Sequence, residues 1–475
     1  MESSDTLKHN MTDDEKFQQM TNTPVPKLVS VLAIPSIISM LITSIYNMAD
    51  TYFVSQISTS ATGAVGIAFS LMAMIQAIGF TLGSGSGNYI SRLLGQKDRQ
   101  QASKVAATGF YTALGLGAVL AGLCLIFIDP LVYLLGATET IAPHAKSYIQ
   151  YILIGMPYMA ATFVLNLILR FQGSAFFGML GIGAGGLLNI ILDPIFIFKL
   201  NMGTGGAALA TIISQFVGFC ILFFNCGIGG NIKIRLKDFT PKWRIYKEIL
   251  RGGLPSFYRQ ALASISMVCL NQAAGQYGDA AIAAMSIVTR TFRFAVSVIL
   301  GFGQGFQPIC GFNYGAKRYD RVWDAFWFCL KTSAVLMAVT GAAGFVFSKQ
   351  IITFFRKEDL DVITIGARAL QFQCIVFPLS AWIIITNMML QTIGKGTEAS
   401  ILAVSRQGLF FMPAILILPR ILGITGIQIC QPVADVFSFL VAVPLGIFTL
   451  RELRSKQKEQ KDRSKLKESI RGVTV

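Results

Sequence analysis

The sequence predicts an all-α integral membrane protein of twelve transmembrane helices, arranged as two parallel six-helix repeats. Three observations carry this. Hydrophobic residues make up 53% of the chain and charged residues only 13%, far too much apolar surface for one water-soluble core. Twelve apolar runs long enough to cross a bilayer follow one another along the sequence. Finally, Pro35, Gly83, Gly85, Gly95 and Lys97 recur as Pro255, Gly303, Gly305, Gly315 and Lys317, all at a constant offset of 220 residues. The echo continues, within one residue of that offset, through Pro157/Pro378, Asn166/Asn387 and Gly206/Gly426.

In chain order, residues 1–26 read as a polar N-terminal tail without the basic start and short apolar core of a cleaved signal peptide. Residues 27–228 read as an N-lobe with spans near 28–55, 63–90, 104–128, 142–169, 174–198 and 203–226. A basic linker follows at 229–248, then a C-lobe at 249–450 with spans near 249–275, 280–312, 324–347, 363–392, 397–419 and 424–450, and a basic tail at 451–475. Six spans per repeat leave both copies in the same orientation, which places the symmetry axis along the membrane normal and a crevice between the repeats.

The formal net charge of +16 could suggest nucleic acid, but the basic residues sit in alternate loops. With the N-terminus in the cytoplasm, 28 of the 40 Lys and Arg fall inside and 6 outside, with the rest in spans. Both termini are therefore expected to be cytoplasmic, with the lipid bilayer and not nucleic acid as the partner. The linker alternates Trp243, Ile245 and Ile249 with Lys and Arg. That pattern fits either a short helix lying on the leaflet or a solvated basic connection. GSGSG (83–87) and GFGQG (301–305) lack the spacing of a phosphate loop and lie late in spans, where small residues let helices approach closely. No cysteine pair has CxxC spacing, and seven of the eight cysteines lie within spans as small buried hydrophobes.

An ionisable side chain in hydrocarbon is a functional candidate by default. Asp50 and Asp193 each lie about five residues from the outer end of a span, ~8 Å deep. Asn189 is one turn from Asp193, and Thr211 falls between their levels. This oxygen-rich set, absent from the second repeat, suits a proton or a hard cation such as Na+. The alternative is that each carboxylate simply bonds neighbouring backbone or amides. The second repeat is richer in amides and arginines, including Asn271, Gln272, Arg290, Arg293, Asn387, Arg406 and Asp435. Some of these should line a cavity, and Arg290 and Arg406 could pair with Asp435 or with one another.

IPSIISMLITSIYNMADTYFV, GSGSGNYISRLLGQKD, LNLILRFQG, LLNIILDPIFIF and GGAALATIIS together resemble the multidrug and toxic-compound extrusion (MATE) transporters, within the DinF-like branch that includes MepA-like exporters. The resemblance runs from about residue 27 to 450. It implies an ion-coupling cavity at Asp50, Asn189, Asp193 and Thr211, a hinge at Pro35, and substrate-cavity positions at Tyr46, Tyr148 and Asn166. To these the polar inventory adds Asn271, Gln272, Arg290 and Asn387.

The expected function is secondary antiport, exporting organic, cationic or amphiphilic compounds in exchange for Na+ or H+ by alternating access. No cofactor is expected beyond that coupling ion, and the expected form is a monomer in a bacterial plasma membrane. A lipid-linked saccharide flippase would call for a strongly basic cavity, and a passive channel would need no ion-linked acids. An enzyme is not expected, since two histidines and no nucleophile constellation are available.

Overall fold

A computed structural model of the chain describes residues 12–356 and 359–473. The ends of both expected tails, at 1–11 and 474–475, lie outside the described residues. A short helix, α1 (Asp13–Asn22), precedes a first half built from α2 (Val25–Ser55), α3 (Thr59–Gly95), α4 (Arg99–Ile126), α5 (Ile128–Leu134), α6 (Ala142–Phe171), α7 (Ala175–Pro194) and α8 (Gly203–Asn225). The second half comprises α9 (Trp243–Gly275), α10 (Asp279–Gly315), α11 (Tyr319–Val346), α12 (Ser348–Phe355), α13 (Leu360–Thr392), α14 (Gly396–Val404), α15 (Phe411–Leu422) and α16 (Ile424–Val473). A π-helical turn, Ile195–Lys199, extends α7, and another, Ser405–Phe410, joins α14 to α15.

Among the described residues, eleven helices are long and apolar enough to cross a membrane. The twelfth crossing is α9, which carries Arg244, Lys247, Glu248, Arg251 and Arg259 and is correspondingly more polar. Lipid explains the surface: Val119 and Ile126 of α4, like Val335 and Val346 of α11, are more than half exposed. In each half one helix forms the buried axis, α6 in the first and α13 in the second.

The repeat is visible in the turns. Asp98 N–H donates to Leu93 O (2.9 Å) and Lys97 N–H to Leu94 O (3.0 Å), closing α3 in a Schellman motif. Arg318 and Lys317 repeat the pattern on Asn313 O (2.7 Å) and Tyr314 O (3.1 Å) at the end of α10. Lys97 (φ 63°) and Lys317 (φ 60°) thus both occupy the left-handed position that glycine usually fills.

The Trp243–Ile249 stretch neither lies flat on a leaflet nor loops through solvent. The helix begins at Trp243 and runs unbroken through Pro255 to Gly275. Ile245 and Ile249, 3% and 0% exposed, pack with Val105, Ala106 and Ile90 of the first half, and that burial holds the basic stretch helical.

The halves meet through backbone at the end of the bundle that carries both termini. A Cβ at Gly85 of α3 would lie 1.9 Å from the Ile249 carbonyl oxygen of α9, and one at Gly253 would lie 2.1 Å from Thr81 O. Gly301 and Gly305 of α10 press on Ile37 and Ala33 of α2, with a Cβ 2.5 and 2.7 Å from the nearest atom, and Gly95 and Gly315 on Phe312 O and Arg92 O at 2.1 Å each. Arg92 also pairs with Glu248 (3.0 Å), and Thr392 Oγ1 donates to Asn88 Oδ1 (2.8 Å). Toward the opposite end, Ile45, Met48 and Tyr52 of α2 and Ile265 and Val268 of α9 are exposed.

At the same closed end α1 straddles the junction. Its capping box on Thr12 and Glu15 starts the helix. Lys16 Nζ donates to Ser174 Oγ (2.9 Å) and Asn231 Oδ1 (2.6 Å) of the first half, and Asp13 and Asp14 pair with Arg99 and Lys97. From the second half, Asn313 Nδ2 donates to Met20 O (3.1 Å) and Arg321 Nη2 to Thr23 O.

Candidate functional site

Near the open end, four helices of the first half converge on one polar pocket. Asp50 lies five residues before the end of α2, and Asn189 and Asp193, four apart, share one face of α7. Thr211 comes from α8 and Tyr148 from α6, with Tyr46 one turn below Asp50. Asp193 and Tyr148 are fully buried, and Asn189, Thr211 and Asp50 are 3%, 4% and 6% exposed. The register is fixed by hydrogen bonds: Asn189 Nδ2 donates to Asp193 Oδ1 (3.0 Å) and Thr211 Oγ1 (3.3 Å), Gln215 Nε2 to Tyr46 Oη (3.4 Å), and Tyr158 Oη to the Ile212 carbonyl (2.8 Å).

What this pocket leaves unpaired defines its chemistry. Asp50 Oδ1, Asp193 Oδ2, Asn189 Oδ1, Tyr148 Oη and Ser214 Oγ are all buried without a hydrogen-bond partner. Among the described residues no Lys or Arg pairs with either carboxylate. Two buried acids without a counter-cation must take up a proton or a cation. The free oxygens are hard ligands, and no cluster of three or more His, Cys, Asp or Glu occurs among the described residues, so the pocket fits H+ or Na+ and not a transition metal. Pro194 sits between Asp193 and the π-helical turn, where its missing N–H relaxes the ladder beside the carboxylate.

Other expected positions fall elsewhere. Asn166 lies eighteen residues beyond Tyr148 on α6, ~27 Å along the axis. There its Nδ2 donates to Gly178 O (3.1 Å) and its Oδ1 accepts from Arg170 (2.7 Å), so it staples α6 to α7 away from the acid pocket. Asn271 and Gln272 are exposed at the outer end of α9 and are not among the residues that line the second-half cavity. Arg290 is exposed and does not meet Asp435; Arg406 does. Pro35 is buried inside a continuous α2, with Ser39 Oγ donating to its carbonyl (2.8 Å).

The second half holds a cavity of about 250 Å³ between α9, α10, α13, the π-helical turn and α16. Asn387 lines it while tying α13 to Ala399 O (2.7 Å), and Arg259, Arg293 and Arg406 face it. Arg259 was the least legible of these, a lone charge between Tyr258 and Gln260. Asp435, fully buried, accepts from Arg406 Nε (2.7 Å) and Nη2 (3.3 Å), Gln373 (3.0 Å) and Gln431 (2.9 Å).

The MatE family model matches the chain twice, at residues 35–195 and 255–417, the same 220-residue offset as the sequence echo. Multidrug export protein MepA of Staphylococcus aureus is 28% identical over 444 residues, which is 92% of this chain and 97% of the relative. A crystal structure of MATE in complex with MaL6 superposes with a TM-score of 0.87 at 28% identity, covering 93% of this chain and 99% of that one. A multidrug resistance MATE transporter in an outward-facing conformation gives a TM-score of 0.86 at 29% identity, covering 92% and 98%.

Proposed function

The chain belongs to the MatE family, and from that premise we propose that it is a secondary antiporter which exports organic, cationic or amphiphilic compounds from a bacterial cell in exchange for Na+ or H+. The observation that carries the coupling is the set of unpaired buried oxygens on Asp50, Asp193 and Asn189, with no cation to balance the acids. Asp50, Asn189, Asp193 and Thr211 form the ion site, and Tyr46 and Tyr148 form its wall. The distribution of basic loops supports a cytoplasmic position for both termini. The glycine-sealed end then faces inward and the acid pocket lies near the external mouth, which supports an outward-open state.

Protonation of either acid removes charge that would hold Na+, so the two ions compete. Neutral oxygens from Asn189 and Thr211 favour direct Na+ coordination over proton carriage alone.

Proteoliposomes with Na+ and pH gradients imposed separately test this. Asp50→Asn and Asp193→Asn should each abolish uphill export, the double variant being little worse than either, because the acids act as one unit. Thr211→Val should weaken the Na+ dependence. Export driven equally well by pH without Na+, in parent and Thr211→Val alike, would reassign the site to protons. Undiminished uphill export by either Asp→Asn variant would end the coupling reading.

A further inference from the structure

The two halves carry opposite, uncompensated charges. In the first half, Asp50 and Asp193 have no basic partner. No acid is among the residues that line the second-half cavity, and Asp435, bonded to Arg406 of its wall, is saturated by four donors, two of them from Arg406. Its charge is already committed. Arg259 and Arg293 face the same cavity with no acidic partner among the described residues, and the one side-chain hydrogen bond recorded for Arg259 is a long one to Ser256 Oγ (3.4 Å).

Their levels agree. Arg259 lies sixteen residues from the outer end of α9 and Arg293 fourteen from that of α10, so both sit ~21–24 Å deep, near the middle of a bilayer. Arg259 is half-buried and Arg293 exposed to the crevice, and a guanidinium at that depth without a counter-charge is costly unless water or a ligand reaches it. Around the arginines the wall is apolar, with Met267, Leu270, Val288 and Phe292, while Gln428 Oε1 is buried without a partner. An apolar wall with a few fixed donors is the make-up of a small-molecule site, and a planar guanidinium suits a carboxylate.

We propose that Arg259 and Arg293 form an anion subsite that takes the carboxylate of exported amphiphiles. This rests on the export reading above, with the cationic end of such a compound attracted toward the acidic half. Arg406 stays engaged with Asp435 and shapes the wall.

Rhodamine B and its ethyl ester differ by one carboxylate and serve as probes. In phosphatidylcholine nanodiscs the parent should bind rhodamine B about tenfold more tightly than the ester, the scale of one charge-assisted contact. Arg259→Gln and Arg293→Gln should each remove most of that preference while leaving ester affinity within twofold, and Arg293→Lys should keep part of it. A parent indifferent to the carboxylate, or Gln variants that weaken both dyes equally, overturns the subsite.

The same anionic chemistry could come from a lipid headgroup, so the measurement is repeated with phosphatidylglycerol. Competition by that lipid in the parent, absent from the Gln variants, would reassign the site to lipid and overturn the substrate assignment. Uphill export of the ester, assayed in proteoliposomes, separates the two readings. A parent that exports the ester but ignores the carboxylate loses only the subsite, whereas one that exports neither dye loses the export reading.

Discussion

Gly85→Ala tests how the two halves are held together. Its Cβ would lie 1.9 Å from the carbonyl oxygen of Ile249, and backbone cannot rotate out of the way as a side chain can. Reaching an ordinary contact of 3.4 Å moves α3 and α9 apart by about 1.5 Å. Overpacking of this kind costs about 1–3 kcal/mol, and only the state in which these helices touch bears it. At about 2 kcal/mol the balance between joined and parted states shifts roughly thirtyfold. Spin labels at Gln100 and Asp320, both exposed and on opposite halves, report the separation by pulsed EPR. The parent should give one short distance, and Gly85→Ala should add a longer population. Gly115→Ala is the control, since nothing lies within 4 Å of its Cβ. Superimposable distributions for parent and Gly85→Ala, or the same change in Gly115→Ala, would refute the reasoning.

Two further outcomes follow from buried charge. Arg406→Met leaves Asp435 buried without its partner and should lower stability by about 3–5 kcal/mol, while the pair Arg406→Met with Asp435→Leu should recover most of the loss; equal thermal unfolding losses in single and double variants would count against the pairing. Burial pushes the Lys16 ammonium down to about 7. Released α1 therefore binds more protons than docked α1 between about pH 7 and 10.5, so docking strengthens as pH rises through that window and is weakest below it. A spin label at the exposed Gln18 should lose mobility from pH 6 to 9 in the parent but not in Lys16→Met, and a spectrum constant with pH in the parent would contradict the assignment.

Much of the architecture was legible because lipid imposes span lengths and duplication repeats them. The convergence of Asn189, Asp193 and Thr211 could be anticipated from their common depth, since i and i+4 share a helix face. Depth alone does not give direction, however. Asn271 and Gln272 are amides in a span, yet they face out, and Asn166 spends its amide on the backbone of α7. Arg259 left no periodic signal. The π-helical turns beside Asp193 and at Arg406 are invisible in residue types, because they consist only of a change of hydrogen-bond partner, hinted at solely by Pro194. The lysines at 97 and 317 were visible as an echo, but their reason, a left-handed turn closing a helix, required the backbone.

The glycine seam also bears on electrical tightness. Where α3 meets α9 and α2 meets α10, the approach is so close that a single methyl would not fit, which leaves no room for a file of water. The points of contact at Gly85, Gly253, Gly301 and Gly305 are backbone carbonyls, amide nitrogens, Cα atoms and alkyl groups, none of which titrates. A proton reaching Asp50 or Asp193 from the open end therefore meets neither a water wire nor a titratable side chain at those four contacts. A membrane energised by an ion gradient can hold many copies of such a protein without short-circuiting, because the resting barrier is made of main chain.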